Sequence, residues 1–286
     1  MAWVLTEDLT RYLAAAGEFL RSRPAENTVQ LTVVERLRAR GPGTFGPAAP
    51  LFGWWTSASG AVCGAVLETP PWPMLLTSTP RGSIAPLAQV LADDGRSLAG
   101  IHAEPQVAEN FAAQWHQRTG ALAEVAMRER LFRLGELTPP SPPPGGRART
   151  ATAADRDLLV TWFEAFGKET RTTDSDAAES VRDRLGHAGL TLWEVEGNAV
   201  SLAGMTRQVA GMVRVGPVYT PAQSRRRGYG AAVTAAVSRS ALRAGAGEVL
   251  LFTDLANPTS NSIYQRIGYR PVSDVDQWAF VTPGSA

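Results

Sequence analysis

The chain has 286 residues, 28 Lys+Arg against 27 Asp+Glu for a formal net charge of +1, and 44% hydrophobic residues. That balance supplies no bulk field for a nucleic acid or an anionic membrane, and no apolar run approaches the roughly 18 residues a membrane-spanning helix needs. The length suggests two domains of about 100–200 residues each. Cys63 is the only cysteine, which excludes an intrachain disulfide and fits a reducing compartment. It sits in an alternating apolar run and reads as a buried, inert thiol. His102, His116 and His187 show no metal-ligand spacing, so no metal is expected. Met1 to Asp8 carries neither a basic n-region nor an apolar h-region, and a cytoplasmic protein is the expectation.

In chain order, Glu7 to Arg21 predicts a helix whose Leu9, Tyr12, Leu13, Ala16, Phe19 and Leu20 recur at three and four. Thr28 to Arg40 predicts a second, ended by Gly41-Pro42-Gly43. Leu51 to Ser57 and Ala61 to Glu68 read as a strand pair, and Pro73 to Ser78 as a third strand. Ser83 to Ala92 is helical, Leu98 to His102 a short strand, and Pro105 to Arg118 helical up to Gly120. Ala121 to Leu134 is strand-like. Thr138 to Gly146 then holds five prolines and two glycines, a composition that joins neither helix nor sheet. It reads as a linker, dividing domains at 1–137 and 147–286.

The order then repeats. Arg147 to Ala151 reads as a weakly written strand, and Asp155 to Lys168 and Asp176 to His187 as helices. Leu190 to Val195 and Asn198 to Met205 form a hairpin around Gly197-Asn198. Met212 to Val218 is a strand that feeds the loop Val218 to Ala231. A helical pattern leaves the loop, with Val233, Val237, Ala241 and Ala244 on one face. Two glycines at a strand-to-helix junction let backbone N–H groups approach an anion, and Arg225, Arg226 and Arg227 add positive charge. The bland alternative is a tight turn with a solvated basic face. Downstream, Glu248 to Thr253 is a strand, Asn257-Pro258 a helix cap followed by a first-turn proline, and Gly268 a helix stop.

These two stretches carry a resemblance. Arg225-Arg226-Arg227-Gly228-Tyr229-Gly230 resembles the R/Q-x-x-G-x-G/A acyl-CoA loop of the GNAT (Gcn5-related) N-acetyltransferases. Asn257 through Ile263-Tyr264 to Gly268-Tyr269 resembles the family's second signature. The resemblance spans about Arg147 to Val281. Asp8 and Asp155 stand 147 residues apart, Gly41 and Gly189 148, and Gly120 and Gly268 148. That offset argues for an internal duplication and matches tandem members of the family. An unrelated α+β first half is the alternative. The fold class expected is α+β (mixed α/β): two tandem GNAT-like domains, each a mixed, mostly antiparallel twisted sheet flanked by helices. Applying the same offset sets Thr77 to Gly82 opposite Arg225 to Gly230, Pro80 opposite Gly228, Ala113 opposite Asn261 and His116 opposite Tyr264. On that alignment the first copy is degenerate.

The resemblance implies an acetyl-CoA co-substrate, with backbone amides of Gly228, Tyr229, Gly230 and Ala231 on the pyrophosphate. Arg225 and Arg227 add charge, and Arg226, where many members have glycine, points to solvent or the 3′-phosphate. Val218, Tyr219 and Thr220 would pair with pantetheine as an added strand. Asn257 and Asn261 are candidates for the pantetheine or acyl arm, with a plain helix cap as the alternative for Asn257. Tyr264 would protonate the leaving thiolate, its alternative being an aromatic packed on an amphipathic helix. Glu164, Glu169, Glu194 and Glu196 border the region without an assigned role. The implied activity is N-acyl transfer to a primary amine, small-molecule or peptide, in the C-terminal domain. The competing reading is a non-catalytic CoA-responsive binding or regulatory protein.

Overall fold

The computed structural model describes residues 2–170 and 176–281. The first half runs β1 (Trp3–Thr6), α1 (Leu9–Ser22), α2 (Thr28–Arg40), β2 (Leu51–Thr56), β3 (Val62–Glu68), β4 (Met74–Leu76), α3 (Ile84–Asp93), β5 (Gly100–Ala103), α4 (Pro105–Thr119) and β6 (Leu122–Leu134). The second runs β7 (Arg147–Thr150), α5 (Arg156–Thr170), α6 (Ala177–Leu185), β8 (Leu190–Val195), β9 (Asn198–Met205), β10 (Met212–Tyr219), α7 (Tyr229–Arg243), β11 (Glu248–Asp254), α8 (Pro258–Arg266) and β12 (Tyr269–Val281). The two halves repeat the same ten-element order, so the duplication read from landmark spacing is present in the fold. Two strands escaped the sequence reading in form. β1 is four residues with no turn signal before it, and the chain after Gly268 is one 13-residue strand, β12.

Local chemistry explains the main boundaries. Asp8 caps α1, its Oδ1 accepting from Thr10 N at 2.7 Å and Arg11 N at 3.2 Å. The β8–β9 hairpin turns on Glu196 and Gly197 with φ of 50° and 81°, a primed turn that matches strand twist, one residue earlier than the sequence placed it. Among the described residues no helix is long and apolar enough to cross a membrane.

The chain forms two compact units: unit 1 comprises 1–131, 254–256 and 272–286, and unit 2 comprises 132–253 and 257–271. The units therefore divide beside Leu131, and the Pro/Gly segment 138–146 lies inside unit 2. In unit 1, β1, β2, β3 and β4 pair antiparallel in sequence order, and β4 pairs parallel with β5. The far side of β5 is taken by the end of β12, with Asp276 opposite Ala103 and Ala279 opposite Gly100. In unit 2, β7, β8, β9 and β10 pair antiparallel and β10 pairs parallel with β11. Each unit is thus a mixed, mostly antiparallel sheet with one parallel pair joined by a crossover helix, α3 or α7.

The halves exchange strand ends. Phe280, from the last strand of the second half, enters the unit 1 core and stacks on Trp115 with centroids 6.3 Å apart. Phe132, from the last strand of the first half, is fully buried in the unit 2 core with Val249, Leu251 and Tyr269. Alternation along the unit 2 strands separates two apolar layers. Leu190, Leu192 and Leu202 meet Leu159, Trp162 and Phe163 of α5, whereas Ala203, Val213 and Val249 meet Val233 and Val237 of α7.

The structure corrects the alignment of the repeats at the loop. A short 3₁₀ turn at Arg81–Ser83 matches one at Ala222–Ser224. Pro80 (φ −57°, ψ 136°) and Pro221 (φ −54°, ψ 148°) precede them, and Ser83 N and Ser224 N each donate to that proline's carbonyl at 2.8 Å. Pro80 is therefore the counterpart of Pro221, not of Gly228. After the turn α3 begins at once with Ile84, whereas α7 begins only after Arg225-Arg226-Arg227-Gly228. The first copy lacks those four residues outright, and a single fixed offset cannot register an insertion.

Candidate functional site: an open helix N-terminus beneath a splayed strand

The site in unit 2 begins where β10 stops pairing with β11. The parallel register runs from Met212 opposite Glu248 to Val215 opposite Leu251. A bulge follows between Val215 and Val218 on the β9 side, and Val218 and Tyr219 stay paired with Ala203 and Leu202. The carboxyl ends of a parallel strand pair, with a helix N-terminus above, form the crevice in which open α/β sheets hold ligands. Val218, Tyr219 and Thr220 line that end of β10. Two of their carbonyls already have partners: Ser201 Oγ donates to Tyr219 O at 3.0 Å, and Arg225 Nε to Thr220 O at 2.8 Å.

The loop then reaches α7 through two left-handed residues. Arg226 has φ 62°, and Gly228, the N-cap of α7, has φ 81° and offers no side-chain cap. The first N–H groups of a helix have no partner within it, and here none is filled by a capping side chain. Tyr229, Gly230 and Ala231 thus present donors at the positive end of the helix dipole. Gly228 is also close to the Pro/Gly segment, since a Cβ placed on it would lie 3.8 Å from Pro144 Cβ.

The three arginines divide in role. Arg225 is bound: its Nη2 donates to Glu169 Oε1 at 2.8 Å and Oε2 at 2.6 Å, its guanidinium lies 5.9 Å from the Tyr219 ring centre, and Tyr219 Oη donates to Glu169 Oε1 at 3.4 Å. Arg225 therefore ties the loop to the end of α5 and to the base of β10. Arg226 and Arg227 are exposed and make no ion pair among the described residues. Glu169 was one of four carboxylates without an assigned role in the sequence; it and Arg225 are 56 residues apart, so no local spacing could have joined them. Glu194 is held by Arg149 at 2.6 Å and Arg147 at 3.3 Å, and Glu164 and Glu196 are exposed.

On α8, Asn257 Oδ1 accepts from Ser260 N at 3.0 Å, which is a helix cap. Asn261 Nδ2 donates back to Asn257 O at 2.8 Å. Tyr264 packs against the α7-side core with its ring 6.1 Å from Tyr269, edge-on. Burial pushes its pKa up to about 12. Its hydroxyl makes no hydrogen bond to any described residue, whereas that of the neighbouring Tyr269 is 2.7 Å from Ser238 Oγ. Among the described residues no cluster of three or more His, Cys, Asp or Glu could hold a metal ion.

Residues 195–279, covering the splayed strand, the loop and α8, match the family model described as FR47-like protein. No curated protein sequence matches the chain. Among solved structures, a Drosophila protein is similar at TM-score 0.67 and 13% identity, with 99% of each chain covered. A GCN5-related N-acetyltransferase from Sphaerobacter thermophilus is similar at TM-score 0.64 and 16% identity, covering 99% of this chain and 96% of that one. A tandem GNAT protein from the clavulanic acid biosynthesis pathway is similar at TM-score 0.53 and 16% identity, with 99% of each chain covered. The fold is that of the GNAT acetyltransferases, in its tandem form.

Proposed function

We propose that unit 2 is an acyl-CoA-dependent N-acyltransferase that moves an acetyl group to a primary amine. The observation that carries the reading is the uncapped N-terminus of α7, flanked by two unpaired arginines at the carboxyl ends of a parallel strand pair. The residues suit a diphosphate: N–H groups at Tyr229, Gly230 and Ala231 can donate to it without displacing a capping side chain, and Arg226 and Arg227 provide exposed cations. Arg225 acts as a positioning residue through Glu169. Val218 to Thr220 would orient the pantetheine arm, with Asn261 beside it and Asn257 holding the start of α8.

In the proposed reaction the amine nitrogen attacks the thioester carbonyl, the C–N bond forms and the C–S bond breaks. The sulfur leaves as thiolate and takes the Tyr264 proton, and the proton that the nitrogen loses returns through solvent to the Tyr264 phenolate, restoring the hydroxyl. A pKa near 12 keeps the Tyr264 hydroxyl protonated at neutral pH, and its unpartnered O–H is available to donate. The test is release of free CoA thiol from acetyl-CoA across a panel of primary amines. Release that depends on the amine supports the reading. Acetyl-CoA binding with no amine-dependent release would favour the non-catalytic CoA-responsive reading instead.

A further inference from the structure

Unit 1 holds a cavity of about 350 Å³ lined by Thr79, Arg81, Ile84, Gln106, Val107 and Asn110. It sits at the carboxyl ends of the parallel pair β4–β5, between the starts of α3 and α4. This is the crevice that β10–β11 and α7 form in unit 2, and the general binding position of such sheets. Its volume falls at the lower end of the roughly 300–1,000 Å³ range of small-molecule sites.

Its chemistry differs from that of the unit 2 loop. The four-residue Arg225–Gly228 segment has no counterpart here, and Pro80 and Pro86 each remove a backbone donor near the start of α3. A single cation, Arg81, stands at the rim, exposed and with no ion pair among the described residues. Asn110, half-buried on α4, makes no hydrogen bond to any described residue. The other polar groups are engaged: Thr79 Oγ1 is 2.7 Å from Ser83 Oγ, and Gln106 Nε2 donates to Glu109 Oε2 at 3.1 Å. Ile84 and Val107, both buried, supply an apolar floor. A planar guanidinium fork and one free carboxamide over aliphatic side chains match one carboxylate on an apolar body.

We infer that the unit 1 cavity is a second ligand site, which takes a small organic acid with an aliphatic body rather than a CoA diphosphate. Arg81 binds one face of the carboxylate, Asn110 donates to its second oxygen, and Ile84 and Val107 cover the chain. The site is independent of the acyl-transfer reading of unit 2.

The experiment titrates the ¹⁵N-labelled full chain with hexanoate, with 1-hexanol as the uncharged control, and follows amide shifts. Saturable shifts confined to residues 79–84 and 106–110, absent with 1-hexanol, are expected. Arg81→Ala and Asn110→Ala, both at accessible positions, each weaken binding by about tenfold. Unchanged spectra of the remaining residues certify that the variants fold. Absence of hexanoate shifts, shifts only at residues 225–231, or affinity unchanged by both substitutions would overturn the inference. So would saturable shifts at 79–84 produced by acetyl-CoA.

Discussion

Replacing Arg226 by glycine separates the backbone role of the loop from its charge. Arg226 has φ 62°, a left-handed conformation that costs an L-residue about 1–2 kcal/mol and glycine almost nothing. Glycine gives back about 0.5–1 kcal/mol through the greater entropy of its unfolded chain. The side chain is exposed and has no ion pair among the described residues, so its removal deletes no stabilising contact. The net expectation is a gain of about 0.5–1 kcal/mol in the ligand-free protein, or about 1–3 °C in melting temperature for a chain of this size. Urea unfolding followed by tryptophan fluorescence reads it. The same substitution removes a proposed phosphate cation, so the acetyl-CoA dissociation constant should rise about tenfold, measured by calorimetry. A loss of stability would refute the left-handed loop path. A gain in stability with unchanged affinity would leave the backbone argument standing and remove Arg226 from the phosphate site.

Other perturbations test other parts of the account. Tyr264→Phe keeps the ring packing and deletes the proton; kcat should fall about 100-fold while acetyl-CoA affinity stays within about twofold, and an unchanged kcat would exclude the acid role. Glu169→Gln should loosen the loop by freeing Arg225, raising the KM for acetyl-CoA more than it lowers kcat in steady-state assays. Phe132→Ala empties a fully buried position in the unit 2 core and should cost about 3–5 kcal/mol in urea unfolding. Asp155 is held at a pKa of about 2, first by the Arg149 guanidinium and then by the Thr152 N–H. A depressed carboxylate stabilises above its unfolded pKa near 4 and loses that contribution as pH falls toward 2, up to about 2 kcal/mol. Asp155→Asn should therefore lower the urea midpoint at pH 6, with the gap to the parent narrowed to about a third by pH 2.5.

Much of the architecture was legible because its signals are local. α2, β8 and β9 begin and end where the residues predict, and the Asn257 cap follows from side-chain and backbone rules acting over a few residues. What escaped is non-local. The exchange of Phe132 and Phe280 between the two halves of the sequence has no trace in periodicity, since each residue alternates as any buried strand residue does. The Pro/Gly segment has the composition of a linker, yet Gly145 O accepts Trp193 Nε1 at 3.0 Å and Thr138 N donates to Ile267 O at 3.0 Å, so it is fastened along unit 2. Arg225 belonged to the motif, but only its partner Glu169 shows that it braces the loop. The degenerate first copy was inferred from Pro80 standing for Gly228; the structure replaces that substitution with the absence of a whole segment.

The central claim is that unit 2 alone holds acetyl-CoA, at the uncapped start of α7. Calorimetric titration of acetyl-CoA into the full chain, beside a Gly228→Pro variant, tests it most directly. Proline removes the N–H at that position and forbids its φ of 81°. One site per chain, abolished in the variant, is the expected result. No binding by the parent, two sites, or an unaffected variant would contradict the account.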